Sequence, residues 1–297
     1  EDGEWRAVGE SPAMPIAGAV LGRQSLDAET RKVIQDGIAE VFSPENAERL
    51  GAYGSFAAAP PTVDPTAAAF AGFAINAHAN GTGNPNAMFQ KAINLEAYQR
   101  ADLVSDPLNI FDAAPNCDGA AALILTRPGL LPPNYPHRFV RVAGSHISTD
   151  TLALHDRPQP LVFEAARRSI ERACQKARIH PLQADFFELH DAFSIYAALS
   201  LEAAGFAEAG QGWKLAQSSE NGPEISLKGS MPISTMGGLK ARGNPGGAAG
   251  VYQVVEATLQ LRGQAGANQL PNPRRALIQS LGGPASAAAS HVLEAID

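Results

Sequence analysis

Apolar residues in the second half of the chain follow two alternating spacings. Continuous runs of apolar residues, typical of strands, are separated by stretches in which apolar residues recur every three or four positions, as on one face of a helix. This pattern predicts strands at 139–143, 185–189, 275–281 and 287–296, and helices at 161–178, at 192–204 and from about 248 onward. Strand–helix alternation of this kind predicts an α/β fold built on a doubly wound sheet, with ligands at the carboxyl ends of the strands.

The first half shows the same pattern less regularly. It predicts a short strand at 5–8, a helix at 28–42 and an alanine-rich helix at 66–79. A tight turn at 118–119 is followed by an apolar run at 123–125, which is typical of a buried strand. Prolines then cluster between residues 128 and 136, which predicts a linker between two halves of the chain. A polar loop rich in hydroxyl groups is predicted at 144–157.

Composition and charge exclude several classes of function. The 297 residues carry a net charge of −7 with no basic block, so we predict no binding to nucleic acid or to an anionic membrane surface. No apolar run reaches the roughly twenty residues that a membrane span needs. Cys117 and Cys174 have neither metal-binding spacing nor an evident disulfide framework, so we expect no metal site and a reducing, cytoplasmic setting. Cys174 lies on the apolar face of its helix, which predicts a buried, unreactive thiol.

A glycine-rich segment before the last predicted helix is the most distinctive stretch of the chain. It reads GGLKARGNPGGAAG at 237–250. Such a loop lets a ligand approach bare backbone at the positive end of a helix, although glycine richness alone is also typical of a plain connection. The full string closely resembles the thiolase signature G-G-x-x-x-x-G-H-P-x-G-A-[TS]-G. Asn244 occupies the place of the catalytic histidine, and an amide can donate a hydrogen bond but cannot accept and return a proton near neutral pH.

Two further strings resemble the same family and occur in its order. ELHDAF at 188–193 resembles the H-D-[AC]-F turn of the archaeal and sterol-carrier-protein branch, and QSLGG at 279–283 takes the place of its H-N-x-G-G. The resemblance implies that His190 helps to hold an oxyanion, although the same residue could cap the helix that follows. Ser280 stands where other thiolases have an acid–base cysteine, and its hydroxyl is too weakly acidic for that work unaided. The backbone N–H of Gly282 could still reach an oxyanion.

The resemblance implies a thiolase-like fold with α-β-α-β-α layers. Residues 134–297 are expected to form the complete C-terminal half. Residues 1–133 are expected to form a partial N-terminal half, with a sheet built from 1–11 and 112–126 and a loop domain at about 12–110. The resemblance also implies that the chain starts after the helix that carries the family's nucleophilic cysteine.

For function, the resemblance implies an acyl-CoA C-acyltransferase similar to acetyl-CoA acetyltransferase, or one subunit of such an enzyme. Acyl-CoA thioesters are the expected substrates, and no covalently bound cofactor is expected. Four residues are expected to bind coenzyme A: Ser145, Gly237, Gly238 and Gly247. The catalytic group is expected to comprise His190, Asn244, Ser280 and Gly282.

The resemblance also implies partners, and it leaves alternatives open. A homo-oligomer is expected, together with a zinc-ribbon/OB-fold protein as a candidate partner. One alternative is a non-catalytic subunit that binds coenzyme A or serves as a scaffold in such a complex. Another is a carbon–carbon lyase that uses the same scaffold without a cysteine.

Overall fold

A computed structural model describes residues 5–9, 20–23, 67–105, 107–219 and 222–296. The helix expected at 28–42 and much of the expected loop domain lie outside these residues. None of the described helices is long and apolar enough to cross a membrane.

The described part of the first half contains short elements. Strand β1 (Trp5–Gly9) pairs antiparallel with β2 (Val20–Arg23). Helix α1 (Ala67–Gly81) confirms the alanine-rich helix, and α2 (Leu95–Gln99) follows it. Strands β3 (Leu103–Ser105) and β4 (Leu108–Asn109) form a small antiparallel pair.

The buried strand predicted near residue 124 does not form, and that prediction is wrong. Residues 121–127 have no regular secondary structure, and Ile124 and Leu125 are 89 % and 74 % exposed. A strand is stable only where neighbours satisfy its backbone N–H and C=O groups. The described residues bring no such neighbour to this run, so the expected sheet of 1–11 with 112–126 is absent from them.

The second half is built on a four-stranded mixed sheet. Its strands are β5 (Phe139–Thr149), β6 (Phe186–Glu188), β7 (Arg275–Gly282) and β8 (Ala287–Ile296), in the spatial order β5-β8-β7-β6. β6 runs parallel to β7, and the other two pairings are antiparallel. Helices α3 (Glu164–Ala177), α4 (Ser194–Ala203) and α5 (Ala249–Leu261) confirm the three helices predicted from the sequence.

Helices cover both faces of this sheet because successive strand residues point to opposite sides. Phe187, Leu277 and Val292 pack in one apolar cluster with α3 and α4. Their neighbours Phe186 and Ile278 pack in another with α5. The architecture is therefore the α/β, thiolase-like arrangement expected for the C-terminal half.

The prediction of a hydroxyl-rich loop at 144–157 is also partly wrong, since the first six of these residues extend β5. They pair with β8 beyond a β-bulge between Val142 and Gly144. Gly144 permits the close approach of α3, because a Cβ at this position would lie 2.0 Å from the carbonyl oxygen of Ala173. Ser145 therefore lies within strand β5 and not in the predicted polar loop.

Candidate functional site

The glycine-rich stretch folds into a single turn of π-helix, Gly238–Arg242, that is buried along its whole length. The N–H groups of Ala241 and Arg242 both donate to the carbonyl oxygen of Gly237, at 3.0 and 3.4 Å. Gly237 and Gly243 bracket the turn with φ angles of +101° and +109°, a backbone region that favours glycine. Turns of π-helix occur often at functional sites. We call Gly237–Asn244 the glycine turn.

Asp191 holds the glycine turn against the end of β6. Its Oδ1 accepts a hydrogen bond from the N–H of Leu239 at 2.7 Å, and Lys240 Nζ donates to its backbone carbonyl at 2.5 Å. Its carboxylate also fills the space that a Cβ on Gly238 would need, with Oδ2 2.3 Å from that position. Gly237 and Gly238, expected to bind coenzyme A, are thus buried in internal contacts of this turn.

Two further carboxyl groups lie buried beneath the turn. Glu188 accepts hydrogen bonds from the N–H and the hydroxyl of Thr235 at 3.0 and 2.5 Å. Burial raises the pKa of Glu188 to about 7, although the bonds from Thr235 act in the opposite direction. Arg242 Nε lies 2.7 Å from Glu256, with side chains only 3 % and 6 % exposed, and its guanidinium stacks 4.7 Å above the ring of Tyr252. Burial raises the pKa of Glu256, and the charge of Arg242 opposes that shift.

The segment from Ala113 to Cys117 connects the two motif-bearing turns through its backbone. The N–H of Ala114 donates to the carbonyl of Ala192 at 2.8 Å, beside His190. Asn244 donates its N–H to Pro115 at 2.9 Å and accepts from the N–H of Cys117 at 3.1 Å. One short segment therefore fixes the H-D-A-F turn and the G-N-P turn in a common frame.

His190 and Asn244 have the chemistry of hydrogen-bond donors in this frame. Burial lowers the pKa of His190, so the imidazole is neutral at neutral pH, and its Nδ1 has no hydrogen-bond partner among the described residues. The Oδ1 of Asn244 accepts from the N–H of Gly246 at 3.2 Å, which leaves its NH₂ group as the one to act on a ligand. Neutral imidazole and amide N–H groups suit the stabilisation of an oxyanion.

Ser280, Gly247 and Ser145 come together at a second place, around a cavity of about 540 Å³ between α5 and the sheet. Ser280 and Gly247 line this cavity directly. Ser145 reaches it through His291, whose Nδ1 lies 2.9 Å from the Ser145 hydroxyl. Gly282 is exposed at the end of β7 and is not part of the lining.

His291 is a residue of this cavity that the sequence motifs did not reveal. Side chains alternate between the two faces of a strand, so the sequence could have placed His291 on the same face of β8 as Ala289. The sequence does not show what that face packs against. No cluster of three or more His, Cys, Asp or Glu side chains with the geometry of a metal site occurs in the described part of the chain.

Comparison with known proteins places these features in a family. Residues 147–295, half of the chain, match the family described as Thiolase C-terminal domain-like. The acetyl-CoA acetyltransferase of Methanothermobacter thermautotrophicus is 36 % identical over 215 residues, which cover 72 % of this chain and 55 % of that protein. Sterol carrier protein 2 of Bos taurus is 31 % identical over 209 residues, which cover 69 % of this chain and 38 % of that protein.

A solved structure shows the same fold at low sequence identity. The Ltp2-ChsH2(DUF35) aldolase superimposes with a TM-score of 0.67 at 18 % identity, and the alignment covers 92 % of this chain and 68 % of that one. The chain spans about half or less of the length of the two sequence relatives above. The family match, the fold and the ordered motifs together show that this chain belongs to the thiolase superfamily, with archaeal acetyl-CoA acetyltransferases and sterol carrier protein 2 among its relatives.

Proposed function

We propose that this chain is part of a thiolase-type acyl-CoA C-acyltransferase, in which it supplies the groups that bind the developing oxyanion. The observation that carries this proposal is the shared frame of His190 and Asn244, which are tied together by Ala113–Cys117 and by the contacts of Asp191. Catalytic groups must converge on one reacting atom, and a preformed frame of hydrogen bonds holds them there without reorganisation.

The chemistry of the proposed reaction fits donors at these positions. When a nucleophile attacks a thioester carbonyl, or an α-carbon loses a proton, negative charge develops on the carbonyl oxygen. The neutral imidazole of His190 can donate an N–H to that oxygen, and the Asn244 amide can donate a second. The nucleophile and the proton acceptor are, in this proposal, supplied by residues outside the described part of this chain or by another chain.

Coenzyme A is the proposed carrier of the acyl group. Gly247 is exposed, lies at the N-terminal side of α5 and lines the cavity, so its backbone is accessible to the polar atoms of a thioester arm. We also propose that the working enzyme is an assembly, either of several copies of this chain or with a zinc-ribbon/OB-fold partner.

A carbon–carbon lyase is the second candidate function, and the nature of the site residues favours it. Asn244 and Ser280 stand where thiolases have proton-transferring side chains, while the donor His190 is kept. Cleavage of a β-hydroxyacyl thioester would need an enolate-stabilising donor but no acyl-cysteine. The similar Ltp2-ChsH2(DUF35) structure is described as an aldolase, and a DUF35 protein would be the corresponding partner here.

The test is an assay of the complete protein, together with any partner that co-purifies with it, on two substrates. Acetoacetyl-CoA with free coenzyme A reports acyl transfer, and a β-hydroxyacyl-CoA reports lyase cleavage. His190→Gln is expected to lower kcat by about 10²–10³-fold, as for loss of an oxyanion donor. His155→Gln, at a side chain that is 73 % exposed, is the matched control and should leave kcat unchanged. Equal rates for both variants would contradict an oxyanion role for His190.

Asn244→His separates the two candidates. In an acyltransferase with its nucleophile in place, a histidine should be tolerated or should raise the rate, since a positioned proton acceptor is worth about 10²–10⁴-fold. In a lyase or a binding subunit the variant should show no thiolysis. We expect none from the purified 297-residue chain alone. If that chain releases acetyl-CoA, one of its own residues is the nucleophile, and Cys117, whose Sγ contacts the glycine turn at Gly243, is the first to test.

A further inference from the structure

The cavity between α5 and the sheet is lined by uncharged groups. Its walls are formed by apolar side chains that include Val251, Val254, Ile278 and Ala289. Among the described residues that line it, only Ser280 and His291 bring polar side-chain atoms, and none is a Lys, Arg, Asp or Glu. At about 540 Å³ it falls within the usual range of 300–1,000 Å³ for small-molecule sites, which are mostly apolar with a few placed polar groups.

The Ser145 side chain on the neighbouring strand fixes the orientation of the His291 ring. Ser145 and His291 are directly opposite each other in the β5–β8 pairing, and the Ser145 hydroxyl engages Nδ1 at 2.9 Å. Burial lowers the pKa of His291, so the ring is neutral near pH 7. A neutral ring with one nitrogen occupied presents its other nitrogen, Nε2, for a single hydrogen bond.

Helix α5 approaches β7 closely at Gly250. A Cβ on Gly250 would lie 3.1 Å from the Ser280 hydroxyl, so the absence of a side chain at residue 250 keeps space open beside Ser280. The Ser280 hydroxyl and the His291 ring are therefore two hydrogen-bonding groups among side chains that are otherwise apolar.

We propose that this cavity is a binding site for an uncharged apolar molecule that carries one ketone or hydroxyl oxygen, with His291 as the residue that recognises the oxygen. A charged carboxylate is disfavoured because none of the described residues that line the cavity is a cation, and a pure hydrocarbon would leave the polar groups of Ser280 and His291 unmatched. This inference rests on the proposed function, because Gly247 and Ser280 line the same cavity. Ser145 acts as a positioning residue that fixes the orientation of the His291 ring.

The test measures binding of 2-octanone to the full chain by saturation-transfer NMR in the absence of coenzyme A, with octanoate as the charged comparison. We expect 2-octanone to bind more tightly than octanoate. Ala289→Phe should abolish 2-octanone binding because the new ring fills the cavity. Ala79→Phe is the matched control, since Ala79 is exposed on α1, and it should bind like the original protein. Thermal unfolding of both variants checks that the fold is kept.

A second variant tests recognition of the ligand oxygen separately from the volume of the cavity. His291→Leu should weaken 2-octanone binding by roughly threefold to tenfold, the range for one neutral hydrogen bond, while binding of n-octane is kept. Unchanged 2-octanone binding in Ala289→Phe, or equal binding of octanoate and 2-octanone, would overturn the proposal. Because coenzyme A is absent, failure of the acyl-transfer assay would leave this result unaffected.

Discussion

Removing the Arg242 guanidinium while Glu256 stays in place is expected to destabilise the protein strongly. The two side chains are 3 % and 6 % exposed, and Arg242 Nε lies 2.7 Å from Glu256. Loss of one partner of a buried pair costs about 3–5 kcal/mol, because the other charge stays buried without compensation. Arg242→Met also loses the stacking on Tyr252, worth about 0.5–2 kcal/mol. Burial raises the pKa of Glu256 to about 8, so we expect the cost of about 3–5 kcal/mol in full above pH 8 and a smaller cost at neutral pH, where Glu256 is protonated.

The measurement is urea-induced unfolding followed by circular dichroism, with two comparison variants. Arg242→Met combined with Glu256→Met should recover most of the lost free energy of unfolding, because no unpaired charge stays buried. Arg100→Met is the exposed control, because the Arg100–Glu96 pair is largely in solvent, and its effect should stay below about 1 kcal/mol. The reasoning is refuted if Arg242→Met costs no more than Arg100→Met, or if the double variant is as unstable as the single one.

Two further substitutions test other parts of the same framework. Glu188 has a folded-state pKa raised from 4.5 to about 7, so its contribution to stability is present below pH 4.5 and is lost as the pH rises towards 7. Between pH 5 and pH 8, the urea midpoint of unfolding should therefore fall more for the original protein than for Glu188→Gln. Equal changes in the midpoint for the two proteins would contradict this. Gly144→Ala should cost roughly 1–3 kcal/mol through its clash with Ala173, whereas Gly129→Ala, with open space around it, should not; equal melting temperatures would argue against the close approach of α3.

The sheet of the second half could be predicted because its pattern is local. Helix faces and the apolar runs of β6, β7 and β8 repeat at the spacing that each element requires. The extension of β5 through residues 144–149 could not be predicted, because small hydroxyl-bearing residues become a strand there only by pairing with β8. The apolar run near Ile124 shows the reverse case, where a strand-like sequence lacks described partners to pair with.

The candidate site was only partly visible in the sequence. Resemblance located His190 and Asn244, whose turns the structure brings together. The side chains of Lys240 and Arg242 are both buried, which their positions in the sequence do not indicate. Burial of charge is decided by distant partners, here Asp191 and Glu256, and no local spacing encodes that pairing.

The segment Ala113–Cys117 joins residues on the two sides of the proline-rich linker through backbone hydrogen bonds. A fragment cut at the proline-rich linker would begin after this segment and would lose the acceptor for the Asn244 N–H and the donor to its carbonyl. The carbonyl of Ala192 would lose its donor in the same cut. The linker is therefore a poor boundary for expressing the C-terminal half alone, because the backbone that aligns its two functional turns belongs to the other side of the cut.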